Sequence, residues 1–408
     1  TNSISQGEQV GILWGCLNGL GVRIHFAHRT FPWQSEARGK AHVHVVIIGF
    51  GVCDVPVKKL YDYADGDTPT ASEVRGISPY LVEGGQTVLP SRTSTPRGMP
   101  QMKKGSQPTD GGNLILTDAE RVELLDQEPG AEKWLRPFIG GEELLNGGRR
   151  WCLWLKNISL PELRALPQVQ ARVEKVRASR LKSPTASVRQ FADYPTLFTQ
   201  DRQPDHDYLA VPEVSSETRR FIPIAFLPAT VIASNKLQII VGGTLFHFGV
   251  LSSTMHMAWV RVVSGRLKSD YSYAPAVYNN FPWPQLDAAD YIQTVPCADG
   301  LCVREAAARL HWSSYHEGGE TEDVPLMAKH ANTCLKGGSK KIAAVEAAAR
   351  KVLAARARNP TSTLADMYDP LLMPPDLVRA HAELDRAVDR CYRAAPFTSD
   401  RQRVEFLF

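Results

Sequence analysis

The spacing of apolar residues divides the first sixty positions into one helix and two strands. In residues 7–20 the apolar positions approximate helical spacing and predict a helix of about 12 residues. These positions are Val10, Ile12, Leu13, Leu17 and Leu20. Ser5 and Glu8 resemble a capping box at the start of this helix. Residues 22–26 and 43–50 are typical of strands, and the second is almost continuously apolar, as expected of a strand buried on both faces of an α/β sheet.

Residues 65–117 lack such periodicity and are rich in Gly, Pro, Ser and Thr. This composition predicts a long irregular connector. Loops of this length are usually functional or disordered, so we expect the connector to cover a binding surface. An acidic turn beginning at Asp118 indicates that a helix follows.

The remaining pattern predicts a mixed domain and then a helical one. Residues 150–155 are strand-like, residues 160–180 are helical, and residues 221–240 alternate strands with turns, which favours an α+β domain. Alanine-rich helical runs then follow at residues 304–310, 342–357 and 377–394, interrupted by Pro360 and by Pro374-Pro375.

A chain of 408 residues is too long for one ordinary core. We therefore predict an α/β and α+β multidomain protein with four segments. They are the end of an α/β domain at residues 1–63, the connector at 64–130, the α+β domain at 131–285 and the helical domain at 286–408. The chain begins abruptly at Thr1, so we expect that sequence upstream of it is missing.

The bulk composition excludes several protein classes. Hydrophobic residues make up 43% of the chain, and no apolar run approaches the ~20 residues of a membrane span. No export signal is evident, and the seven cysteines are scattered, which favours a reduced cytoplasm over a disulfide framework. We expect a cytoplasmic protein that does not contact membranes.

The net charge of +4 is mild, but the basic residues are clustered. Each cluster could line a phosphate backbone, although solvated surface is the alternative for any one of them. The clusters are Arg172, Lys175, Arg177, Arg180 and Lys182; Arg219 and Arg220; Arg261, Arg266 and Lys268; Lys340 and Lys341.

Common catalytic and metal-binding signatures are absent from the sequence: it has no phosphate loop, HExxH, GxSxG or CxxC pair. His25, His28, His42 and His44 lie close together along the chain. A strand pattern explains them better than a metal site, because His42 and His44 simply alternate with valines.

Several long blocks resemble the MmeI-like DNA methyltransferases, and together they cover essentially the whole chain. Near the start they are NSISQGEQ at residues 2–9, FAHRTFPW at 26–33 and EARGKAHVHVVIIGF at 36–50. In the middle they are PTDGGNLIL at 108–116, WLRPFIGGEELLNGGRRWCLWL at 134–155 and SSETRRFIPIAFL at 215–227. Towards the end they are FGVLSSTMHMAWVRVVSGRLKSDYSY at 248–273, YNNFPWP at 278–284 and GGSKKIAAVEAAA at 337–349.

The resemblance implies the tail of a class I methyltransferase sheet, a target recognition domain and a C-terminal helical domain. It also implies S-adenosylmethionine as the methyl donor, adenine N6 in double-stranded DNA as the acceptor, and a role in restriction-modification or phage defence. The glycine-rich cofactor motif and the Asn-Pro-Pro-aromatic tetrad of the family are found nowhere in the 408 residues. We expect both upstream of Thr1, with a nuclease region as a further candidate partner there, and no methylation by this piece alone.

The resemblance also suggests a pocket for a flipped base. A methyltransferase must rotate its target base out of the duplex, and aromatic faces then replace the lost stacking. Phe31 and Trp33 are the candidates for these faces, against roles as core residue and loop anchor. Asn2, Ser3 and Gln6 would lie at the carboxyl end of a strand, where open α/β sheets bind ligands; a plain helix cap is the alternative.

Base reading would come from the α+β domain. Arg266, Lys268 and Asp270 alternate and would share one face of a strand. Lysine suits guanine and aspartate accepts from cytosine N4, so Lys268 and Asp270 could read one G·C pair; a surface salt bridge is the alternative.

Three further basic residues, Arg219, Arg220 and Lys236, are candidate phosphate contacts, against solvated turns. Met255, His256, Met257 and Trp259 are interpreted as helix core instead of a ligand site.

Two other functions compete with this interpretation. One is a stand-alone DNA-binding specificity subunit without methylation activity of its own. The other is an RNA-binding protein, which is disfavoured because the aromatic residues are dispersed and no stacking-sheet signature is present.

Overall fold

The first described part of the chain is a helix on a four-stranded sheet. The computed structural model describes residues 2–33, 43–63, 68–96, 98–285 and 340–408. A 3-10 turn at Asn2–Ile4 leads into α1 (Gln9–Gly19), followed by β1 (Arg23–Trp33), β2 (Val43–Gly51), β3 (Lys58–Asp62) and β4 (Thr70–Val74). The sheet order is β2-β1-β3-β4; β1 is antiparallel to β2 and parallel to β3.

The predicted helix is present as α1, but only part of its predicted apolar set is buried. Val10 and Trp14 are buried, whereas Ile12 and Leu20 are 67% and 72% exposed. The predicted capping box is also wrong, because Glu8 is the N-cap residue and makes no side-chain cap bond. Strand β2 is an edge strand, and Phe50 on it is exposed, so the prediction of burial on both faces is wrong here.

Three more sheets and several helices form residues 98–285. The strands are β5 (Met102–Lys104), β6 (Ile115–Thr117), β7 (Leu135–Ile139), β8 (Arg150–Leu153), β9 (Tyr208–Pro212), β10 (Val214–Ser215), β11 (Ala225–Leu227), β12 (Ile232–Ala233), β13 (Leu237–Val241), β14 (Gly265–Leu267) and β15 (Asp270–Ser272). The helices are α2 (Asp118–Gln127), α3 (Gly141–Asn146), α4 (Leu160–Arg164), α5 (Pro167–Leu181), α6 (Ala186–Gln190), α7 (Leu245–Leu251), α8 (Thr254–Val263) and α9 (Pro275–Asn279), with 3-10 turns at Pro129–Trp134 and Phe191–Asp193. The sheet orders are β11-β9-β13-β5, β12-β7-β8-β6 and β10-β15-β14.

Part of the predicted irregular connector is ordered into these sheets. Strand β5 pairs with β13, and β6 pairs with β8. The helix predicted from Asp118 is present, and its N-terminus carries a complete capping box formed by Thr117 and Glu120.

Four helices form residues 340–408: α10 (Lys340–Ala357), α11 (Leu364–Met367), α12 (Pro375–Tyr392) and α13 (Asp400–Leu407). Helix α10 packs on α12 and α7, and α13 packs on α8, so one apolar core runs from α1 through α8 into these helices. The helix predicted at residues 304–310 lies outside the described residues. The mixed α/β class and the helical C-terminal region are confirmed.

Candidate nucleic-acid interface

The segment that contains Lys268 is a β-hairpin. Strands β14 and β15 pair from Gly265↔Ser272 to Leu267↔Asp270, which leaves Lys268 and Ser269 as a two-residue turn. Lys268 has a φ of 59°, a left-handed conformation typical of tight hairpin turns. The predicted alternation of Arg266, Lys268 and Asp270 along one strand is therefore wrong, because the chain reverses between them.

Within this hairpin, Arg266 and Lys268 have opposite environments. The Arg266 side chain is only 16% exposed; its Nη1 donates to the Ser269 carbonyl at 2.6 Å, and its guanidinium lies 4.0 Å from the centre of the Tyr271 ring. Lys268 is exposed at the tip. Arg266 thus braces the turn from inside, while Lys268 is available to a ligand.

The loop with Arg219 and Arg220 lies beside the hairpin. Burial lowers the pKa of Arg219, and the nearby carboxylates of Asp270 and Asp369 oppose that shift. Arg220 is exposed, and its guanidinium lies 5.4 Å from the centre of the Phe221 ring. The loop therefore brings positive charge to the side of the hairpin where Asp270 lies.

Lys236 lies at another turn, between β12 and β13. Its Nζ is 3.5 Å from Glu213 Oε2, and the other oxygen of this carboxylate accepts from Lys104 Nζ at 2.7 Å. With its side chain 69% exposed, Lys236 remains accessible in spite of this ion pair.

The hairpin is attached to the beginning of the chain through two glycines. Gly7 has a φ of 66° and donates from its backbone N to the Val263 carbonyl at 3.0 Å. A Cβ at Gly7 would lie 3.3 Å from the Gly265 Cα, a tight contact, so the close approach of the two backbones and the positive φ both favour glycine at position 7. This contact sets the hairpin directly against the segment that contains Asn2, Ser3 and Gln6.

Asn2 and Ser3 belong to a 3-10 turn, and Gln6 follows it, so none of the three caps α1. Asn2 and Gln6 are buried, and Gln6 Nε2 donates to Thr30 Oγ1 at 3.5 Å; Ser3 is exposed. Gln6 and Arg266 both line a cavity of about 280 Å³ between β1, α8 and α13. Of the predicted recognition and pocket residues, the structure thus brings Gln6 and Arg266 to one cavity.

Phe31 and Trp33 lie at the end of β1, in a cluster of rings. The Phe31 ring stacks on Tyr63 at 4.5 Å between centroids, and Trp33, 51% exposed, lies 6.3 Å from Phe31. His28 stacks on Tyr61 at 4.3 Å with an angle of 5° between the ring planes.

Sequence reasoning missed His28, Tyr61 and Tyr63 as parts of this cluster. The available signal was the alternation of Tyr61 and Tyr63, which is typical of a strand with both rings on one face. Strand β3 was not predicted, because it is short and has charged residues at both ends.

Among the residues that the structure describes, no three His, Cys, Asp or Glu side chains come together as a metal site would require. His42, one of the histidines considered for such a site, lies outside them. None of the described helices combines the length and apolar character needed to cross a bilayer. As predicted, Met255, His256, Met257 and Trp259 are buried in α8.

Three family models match successive parts of the chain. The MmeI DNA-methyltransferase domain matches residues 1–62, the MmeI target recognition domain residues 83–285, and the MmeI C-terminal domain residues 337–408. The chain is 33% identical over 408 residues to DNA methyltransferase A of Bacillus subtilis (strain 168), covering 40% of that protein.

A solved structure is similar over the entire chain. The Type IIL restriction-modification enzyme MmeI in complex with DNA has a TM-score of 0.81 and 40% identity, and the match covers 48% of that protein's chain. The present chain thus spans less than half the length of either relative. With three MmeI models matching in succession and a whole-chain likeness at 40% identity, the chain belongs to the MmeI family of DNA methyltransferases.

Proposed function

We propose that this chain recognises duplex DNA for a methyltransferase that transfers a methyl group from S-adenosylmethionine to adenine N6, in a restriction-modification or phage-defence system. The observation that carries the proposal is the close backbone contact between Gly7 and Gly265. Through it, a hairpin with an exposed lysine at its tip is held at a fixed distance from the methyltransferase segment. Such a rigid link is what an enzyme needs to methylate one base at a defined offset from the bases it recognises.

The flipped adenine would be received by the residues around the end of β1. Phe31, and next to it the exposed Trp33, offer aromatic faces that can replace the stacking lost on extrusion. Asn2, Ser3 and Gln6 supply polar groups, and buried Oδ1 and Oε1 atoms of Asn2 and Gln6 have no protein partner among the described residues. S-adenosylmethionine would supply the methyl group; no residue of this chain is assigned to holding it.

Base reading would be performed by the hairpin tip. Lys268 can donate to guanine O6 or N7 in the major groove, and Asp270 can accept from cytosine N4. Arg266 would act with them chiefly by bracing the turn through the Ser269 carbonyl. The Arg219 guanidinium lies near Asp270 and partly offsets the charge of its carboxylate. We therefore expect Lys268 to contribute more than Asp270 to the discrimination between bases.

Phosphate contacts would come from the exposed cations beside the hairpin and at the β12–β13 turn. Arg220 and Lys236 are accessible, and the half-buried Arg219 has the carboxylates of Asp270 and Asp369 in its vicinity. Such contacts fix register on the duplex without carrying sequence information.

The test is a mobility-shift titration of the chain with a random duplex pool at two salt concentrations, followed by sequencing of the bound fraction. We expect one short asymmetric motif and an affinity that falls steeply with salt. Lys268→Ala should relax one position of the motif and weaken binding to it about tenfold. Arg220→Ala should instead reduce the salt dependence by about one unit of log–log slope without changing the motif.

Arg379→Ala, an exposed arginine on α12 outside all the basic clusters, is the matched control and should change neither quantity. Binding without any enriched motif would contradict base reading by Lys268 and Asp270. The full-length polypeptide that contains this chain should methylate adenine within the same motif. Motif-specific binding by a full-length protein that transfers no methyl group would instead favour a specificity subunit.

A further inference from the structure

Four aromatic rings, on β1, on β3 and at Tyr63 directly after β3, form a continuous chain of contacts that ends at Phe31. Tyr61 stacks on His28, the ring of Tyr63 lies 5.9 Å from that of His28, and Tyr63 stacks on Phe31 at 4.5 Å with 22° between the planes. The parallel pairing of β1 with β3 sets the start of this chain, because His28 and Tyr61 are Cα partners in that ladder.

A hydrogen bond fixes the middle of the chain of rings. The Tyr63 hydroxyl lies 2.7 Å from His28 Nδ1. Burial lowers the pKa of His28, so the imidazole is neutral at pH 7 and can pair with a phenol without carrying a charge. The backbone around these rings is held as well, because Arg29 Nη1 donates to both carboxylate oxygens of Asp62 at 3.0 and 2.9 Å.

We propose that Tyr63 and His28 are positioning residues that hold the Phe31 ring in the orientation needed to stack on the extruded adenine. This inference rests on the proposed function, which assigns the stacking to Phe31. Tyr63 covers one face of Phe31, and His28 sets the rotation of Tyr63 through the hydroxyl. Neither residue touches the base in this arrangement; both act through Phe31.

The physical reason is preorganisation. A half-buried phenylalanine near the end of a strand would otherwise sample several rotamers and would lose that freedom each time a base stacks on it. A second ring behind it removes most of this freedom in advance. Stacked aromatic pairs and buried hydrogen bonds each have enough energy to bias a rotamer several-fold.

The experiment is a double-mutant cycle in the full-length polypeptide, with methylation of its cognate duplex as the readout. Tyr63→Phe keeps the ring on Phe31 and removes the hydroxyl, and His28→Phe keeps a ring on Tyr61 and removes the acceptor. Each single variant should lower kcat roughly fivefold, the value expected from one lost hydrogen bond. The double variant should also lose roughly fivefold, because both changes remove the same bond.

Three readouts separate positioning from a structural role. In all three variants the Kd for duplex DNA should stay at the wild-type value, and the Tm should fall by no more than the ~4 °C that one lost hydrogen bond explains. With 2-aminopurine at the target position, the extruded base should be brighter in the variants, because it stacks less. Tyr194→Phe, which removes an exposed hydroxyl far along the chain, is the matched control and should leave kcat unchanged.

Multiplied losses of about 25-fold in the double variant, or losses confined to Kd and Tm, would overturn the inference while leaving methylation itself intact. Wild-type kcat in Tyr63→Phe would overturn it equally. A wild-type polypeptide that binds its motif but methylates no adenine would instead overturn the proposed function, and this inference with it.

Discussion

Among the described residues, 2–62 and 98–285 differ in how many of their large apolar side chains are exposed to solvent. The exposed ones in the shorter, first region are Ile12, Leu13, Leu20, Phe26, Trp33, Ile47, Phe50, Val52 and Val57. In the described region three times as long, they are only Val122, Leu160, Leu181, Tyr194 and Leu267. An apolar pattern therefore predicts a helix or strand well, but whether its apolar side is covered depends on what packs against it.

The second region also buries several polar side chains, among them Arg180. Arg180 is 1% exposed, and its guanidinium donates five hydrogen bonds to backbone carbonyls. The acceptors are Pro108, Thr109, Phe191, Tyr194 and Leu197. One side chain of α5 thus connects two irregular segments, residues 108–109 and residues 191–197. Such contacts hold a loop-rich region in place where long strands are few.

Replacing Arg180 gives the largest expected loss of stability, because it removes the contacts that fix the irregular segments of the second region. Arg180→Ala removes five part-buried hydrogen bonds to backbone carbonyls, of which only those of Phe191 and Tyr194 keep a backbone donor, and should lower the free energy of unfolding by about 5 kcal/mol. Chemical denaturation with circular dichroism measures this. Arg177→Ala, an exposed arginine on the same helix, should cost less than about 0.5 kcal/mol. Equal losses for both variants would contradict the role given to Arg180.

Trp14 tests whether the first region has a core of its own. It is 1% exposed, and its Nε1 donates to the Ile4 carbonyl at 2.7 Å. Trp14→Ala should therefore cost about 3–5 kcal/mol. Because the core that includes Trp14 continues into α8 and the C-terminal helices, the whole chain should unfold in one transition at lower denaturant. A separate early transition confined to residues 2–62 would show that the two regions are not coupled.

The sequence predicted helices and fold class better than burial or sheet order. Helix α5 and the alanine-rich α10 and α12 follow from periodicity, whereas β3 and β5 are too short and too charged to stand out. The side of α1 that packs inward could not be predicted, because Trp14 and Val10 compete with three other apolar positions. The division at residues 63, 130 and 285 stays a prediction, although the first and third lie close to the ends of matched family segments.

The sequence indicated which residue types belong to the candidate site, but it did not predict how their side chains are arranged. The basic and aromatic residues were identifiable, yet a positive φ at Lys268 turns an expected strand into a hairpin. Lysine has no intrinsic preference for that conformation; the two-residue turn between β14 and β15 imposes it, and Arg266 braces the turn through the Ser269 carbonyl. The roles assigned to these residues, and to Phe31, remain predictions.

Two buried histidines in the second region give a pH-dependent effect of intermediate size. Burial lowers the pKa of His247 and of His256 to about 3, against 6.5 when unfolded. The unfolded chain therefore binds more protons between pH 6.5 and 3, and stability falls as pH falls through this window. Each histidine contributes up to about 1.4 kcal/mol per pH unit there.

Removing one of these histidines should therefore flatten the acid side of the stability profile. His256 Nδ1 lies 2.8 Å from the Leu251 carbonyl and Nε2 lies 2.8 Å from the Tyr273 hydroxyl, so both nitrogens are engaged in the neutral form. His256→Gln should be less stable at pH 7 but lose less on acidification, as followed by urea denaturation at several pH values. His206→Gln, at an exposed position, is the control; an unchanged slope in His256→Gln would contradict the assignment.

Substitutions at exposed apolar positions in and next to α1 have the smallest expected effect on stability, and they test the difference between the two regions directly. Ile12 on α1 and Leu20, which directly follows that helix, are 67% and 72% exposed, so Ile12→Glu and Leu20→Glu should each change the free energy of unfolding by less than about 0.5 kcal/mol. Both should reduce self-association in analytical ultracentrifugation, because exposed apolar patches favour it. Val10→Glu, two residues from Ile12 but fully buried, should instead unfold the region. If Ile12→Glu destabilised the fold as much as Val10→Glu, the outer side of α1 would have to be covered in solution. The exposed apolar side chains of residues 2–62 would then reflect a missing packing partner and not a property of this region's own fold.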